Sequence, residues 1–80
     1  PQAQFVVRIN QGRIEAIAGK VTAAFLDQIR VVAEQNNIQA GSIRGLLSTR
    51  RIQLKFSPEF SNEAAQQLRN WWVLYGWHGR

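Results

Sequence analysis

The chain has 80 residues, with ten Lys and Arg against five Asp and Glu, one His and no Cys. That length holds one hydrophobic core and no second domain, and the missing cysteines exclude a disulfide framework and thiol chemistry. A hydrophobic share of 45% with 19% charged residues describes a folding sequence, and a net charge of +5 favours anionic partners.

Gln4 to Asn10 (QFVVRIN) places Phe5, Val7 and Ile9 on one face and Val6 and Arg8 on the other, the period of two of a half-buried strand. Gln11-Gly12 supplies a turn. Arg13 to Ala18 alternates again, with Ile14, Ala16 and Ala18 inward and Arg13, Glu15 and Ile17 outward, so the two segments predict an antiparallel hairpin. Thr22 is the expected N-cap of a helix, with Val21 and Leu26 as a hydrophobic staple. The helix turns Phe25, Leu26, Ile29, Val32 and Ala33 to the core and stops near Asn36-Asn37, where Asn37 suits a left-handed terminus.

Gln39-Ala40-Gly41 reads as a connection. Ser42 to Ser48 is a third strand, with Ile43, Gly45 and Leu47 inward and Arg44 and Leu46 outward. In Arg51 to Ser57, Ile52, Leu54 and Phe56 alternate with Arg51, Gln53 and Lys55, and Pro58 closes the strand. Ser61 caps a final helix over Ser61 to Tyr75, whose Ala64, Ala65, Leu68, Trp71, Trp72 and Tyr75 form one apolar face. Gly76 is expected to end it as a left-handed glycine.

Shifting the first half by 38 residues lays Phe5, Val7 and Ile9 on Ile43, Gly45 and Leu47; a shift of 39 lays Val21-Thr22 on Phe60-Ser61. The expectation is a single α+β domain over residues 1–80, built from ββα units at 4–37 and 42–76. Such a ββαββα chain makes a four-stranded antiparallel sheet with two antiparallel helices on one face. Strand order 2-1-3-4 is the first choice and 1-2-4-3 the second.

Catalysis finds little support. His78 is the only histidine, and Glu15, Asp27, Glu34, Glu59 and Glu63 are scattered rather than paired. A lone histidine with dispersed carboxylates makes no metal set, and no glycine loop of phosphate-cradling spacing is present. No enzyme, cofactor, metal or small-molecule substrate is therefore expected. The outer sheet face is richer: Arg8, Arg13, Arg44, Arg51 and Lys55 stand there against the single acid Glu15, with Arg50 at the hairpin tip. Basic sheets of this kind hold nucleic acid or another anionic partner, although every strand aromatic here points inward. The alternative is a protein-interaction or homodimer contact through Val6, Ile17 and Leu46, or through Val73, Leu74 and Trp77.

Phe5-Val6-Val7-Arg8, Gly12, Gly19-Lys20, then Arg51 to Ser57 and Gln66-Gln67-Leu68-Arg69-Asn70 resemble a group of small bacterial proteins of unknown function. The resemblance spans most of the chain, rests on structural rather than catalytic positions and carries over no site residue. It implies an upstream membrane anchor, compatible with a chain that starts at Pro1, whereas no span or signal peptide lies within these residues. The compartment stays open, the cytoplasm being favoured.

Overall fold

The structure is a computed structural model and describes residues 2–78. Its elements run β1 (Ala3–Asn10), β2 (Arg13–Ala18), α1 (Ala23–Gln35), β3 (Ala40–Ser48), β4 (Arg51–Phe56) and α2 (Asn62–Tyr75). The strands form one antiparallel sheet in the order β2-β1-β3-β4, the first of the two expected orders. β1 and β3 pair at the centre, each flanked by its own hairpin partner, so the two ββα units are related by a twofold between them. β3 starts earlier than expected, because Ala40 and Gly41 pair with Asn10 and Ile9 instead of forming a connection.

Both helices pack on one face. Thr22 Oγ1 accepts from the Phe25 N–H at 3.1 Å, and Ser61 Oγ from the Ala64 N–H at 3.1 Å, which caps each N-terminus. α1 closes in a Schellman motif: Asn37 sits at φ 56, its N–H reaches Glu34 O, and the Ile38 N–H reaches Ala33 O at 2.9 Å. Ile38 is buried there, completing the hydrophobic side of the motif. The helices run antiparallel. Phe25 at the start of α1 stacks on Trp71 at the end of α2, while Asn36 at the far end of α1 donates to Gln67 at 3.3 Å.

Between the layers, Phe5, Val7, Ile9, Ile43, Phe25, Ile29, Val32 and Leu68 are fully buried. Phe5 lies across Gly45 of β3, where a Cβ would come 2.2 Å from its ring. Gly45 thus makes room for the fully buried phenylalanine of the sheet's inner face.

Three further expectations are corrected. Ala18 does not face inward: Val7 pairs with Ala16 but Val6 with Ala18, so Ile17 is an extra residue in a β-bulge and Ala18 falls opposite Val6 on the outer face. The bulge brings Gly19 against the Gln4 backbone, an approach no side chain would fit. Gly76 is not left-handed. It is extended at φ −72, ψ 171, and a glycine is required because a Cβ would stand 2.4 Å from the Trp72 ring. Tyr75 does not join the core: it is 65% exposed, with its ring 5.5 Å from that of Trp71, because it overhangs the end of the helix.

Candidate anion-binding face

Alternation sends the side chains of Arg8, Arg44, Arg51 and Lys55 away from the helices, and all four are exposed, as is Arg13 on β2. The register decides which of them meet. Arg44 stands directly opposite Lys55 across β3 and β4, and opposite Val6 on its other side. Arg8 faces Ser42, which puts it on the diagonal to Arg44. Directly opposed side chains have Cβ atoms about 4.5–5.5 Å apart and diagonal ones about 7–8 Å, so the three charges form one cluster at the centre of the sheet.

Compensation is sparse. Glu15 is opposite Arg8 on β2, whereas no carboxylate lies opposite Arg44 or Lys55. Among the described residues the ion pair is Arg30 with Asp27, on the solvent side of α1. Arg13 faces Asn10, and Arg51 faces Ser48 beside the tip. Arg50 occupies the tip at φ 68, next to Thr49 at φ 48. The face therefore contains a like-charged cross-strand pair, which is unfavourable in the absence of an anion.

The apolar members of the same face differ among themselves. Val6 and Leu46 are half-buried between the basic side chains, while Ile17 on the bulge is 43% exposed. At the C-terminal end, Val73 and Leu74 are 83% and 73% exposed. Trp77 folds back: its ring lies 4.4 Å from Trp72 and 5.4 Å from Phe5, so most of its apolar surface belongs to the core.

A feature that the sequence pattern did not single out lies along β4. Two hollows open between β4 and α2, one of about 230 Å³ lined by Ile52, Leu54, Arg69, Trp72 and Val73, and one of about 250 Å³ extending it past Arg51 to Gly76, Trp77 and His78. The signal was present in the four-residue step from Arg69 to Val73, which places both on one flank of α2.

The remaining titratable groups do not converge. Glu59, in the β4–α2 loop, is held below its ordinary value by a hydrogen bond from Ser57 and by its own backbone N–H, which keeps it ionised. Ser57 Oγ in turn accepts from the Ser42 N–H at 2.8 Å, tying the loop to β3. Among the described residues no three His or acidic side chains come together as a metal site. No helix among them is long and apolar enough to cross a membrane.

These features define a two-layer α+β domain of ββαββα order with a basic open sheet. The chain belongs to the family described as protein of unknown function (DUF3634), which it matches over residues 2–79. No curated protein and no solved structure matches it.

Proposed function

We propose that this protein is a non-enzymatic binding domain whose outer sheet face holds the phosphate backbone of a nucleic acid. The observation that supports this most strongly is the Arg44–Lys55 pair, with Arg8 on its diagonal and no carboxylate opposite either member. An anion that bridges such a pair converts a repulsion into two charge-assisted contacts. Phosphates spaced along a strand meet several basic side chains at once, and binding through them releases counterions. Because no strand aromatic reaches this face, bases are not stacked, and the interaction is read as backbone recognition with little sequence preference.

Neutralising one member of the pair separates binding from folding. Lys55→Thr removes the repulsion and keeps a good strand residue, so stability is unchanged or rises by a few tenths of a kcal/mol. Affinity for a single-stranded RNA or DNA falls, and the slope of log K against log salt loses about 0.7 for the lost phosphate contact. Fluorescence titrations at several salt concentrations measure both. Lack of binding to single- and double-stranded nucleic acids even at low salt would overturn the proposal.

A further inference from the structure

β4 is an edge strand, and its register shows which of its backbone groups are unused. The Ser57 N–H donates to Ser42 O, and Ser48 faces Arg51 across the two-residue turn. Hydrogen-bonded pairs alternate along an antiparallel ladder, so Arg51, Gln53, Lys55 and Ser57 spend their backbone bonds on β3. The N–H and C=O groups of Ile52, Leu54 and Phe56 then point to the free edge. The two edges of the sheet are treated differently. β2 is blunted by the bulge at Ile17, a known protection against further pairing, whereas β4 runs without a register break.

The hollows between β4 and α2 lie beside this open edge. Their floor is apolar, from Ile52, Leu54, Trp72 and the exposed Val73; their charged side chains are Arg51 and Arg69, with no acidic residue in the lining. An extended backbone offers donors and acceptors at the spacing that the edge requires. Every second side chain of such a strand points to the helix side, where the hollows can receive it. A second copy of this chain fits poorly, since β4 carries Arg51 and Lys55 with no acid, and antiparallel pairing of two such strands about Gln53 would set Arg51 opposite Lys55.

From this arrangement we infer that β4 accepts an extended peptide from a partner protein as a fifth strand. Apolar side chains of the peptide fill the hollows between β4 and α2, and an acidic residue meets Arg51 or Arg69. The site is separate from the Arg8, Arg44 and Lys55 cluster, because its contacts are the edge backbone and the inner side of β4, with Arg51 bordering both. It stands or falls independently of nucleic-acid binding.

A library of random peptides displayed on phage, panned against the chain, tests this. The expected winners alternate apolar residues and carry an acidic one. A synthetic winner should protect the amides of Ile52, Leu54 and Phe56 from hydrogen exchange and shift their NMR signals. N-methylation of its alternate amides should abolish binding. Val73→Asp, at a position 83% exposed and so harmless to the fold, should weaken binding about tenfold or more by setting a charge of the peptide's own sign in the apolar groove. Failure to enrich any peptide, equal binding of the N-methylated form, or shifts confined to Arg8, Arg13 and Arg44 would each overturn the inference.

Discussion

Two residues at one hairpin tip show how the halves of this chain differ. Gln11 and Gly12 join β1 to β2 with φ of 52 and 79; Thr49 and Arg50 join β3 to β4 with φ of 48 and 68. The geometry matches the right-handed twist of the strands in both hairpins, but the second lacks a glycine and puts a β-branched residue in the left-handed region. That conformation costs roughly 1–2 kcal/mol per residue for an ordinary L side chain. Replacing Thr49-Arg50 by Asn-Gly should raise the unfolding free energy by about 1 kcal/mol, seen as a higher urea midpoint with an unchanged slope. An unchanged midpoint would mean that the tip is not strained. What the second tip gains is a basic side chain beside Arg51 on the proposed anion-binding surface. The turn's length was legible in the sequence through the 38-residue offset between the halves. The reason for Gly76 was not, because the four-residue step from Trp72 does not reveal that its ring lies against the extended Gly76 backbone.

At the scale of elements, regular alternation translated directly into structure. β1 and β4 have the faces that their apolar spacing predicts, and both helices start at the capping residues that the sequence marks. β2 failed where alternation was carried only by alanines and isoleucines. A bulge there changes the face of Ala18 without placing a charge or a bulky apolar side chain wrongly, so the pattern could not announce it. α2 contributes the aromatic end of the core: the Trp72 ring lies 5.0 Å from Phe25, 5.8 Å from Phe5 and 4.4 Å from Trp77. Trp72→Ala removes all three contacts and should cost about 3 kcal/mol, the lower end of the usual range because the side chain is half-buried. Val73→Ala on the same helix should stay within about 0.5 kcal/mol. Equal melting temperatures for the Trp72 variant and the unchanged chain would refute this account of the core. The β4–α2 groove belongs to the same scale. It was not read from the sequence, although the first-choice strand order already put β4 at the edge, because the gap between β4 and α2 is set by how the side chains pack.

Across the whole molecule, charge is sorted by layer. The outer sheet face carries Arg8, Arg13, Arg44, Arg51 and Lys55 against Glu15, while Asp27, Glu34 and Glu63 stand on the helices with Arg30 and Arg69. The net charge of +5 is therefore concentrated on one side, which orients the molecule towards an anionic surface before any contact forms. Which residues lie on that face could be read from alternation alone; that Arg44 opposes Lys55 could not, since it follows from the register of β3 and β4. NMR mapping with a single-stranded RNA at low ionic strength tests the central claim most directly. The account predicts shifts clustered on Arg8, Arg44 and Lys55 of the outer face, fading as salt is added. Shifts on α1 and α2, or none at any salt concentration, would contradict it.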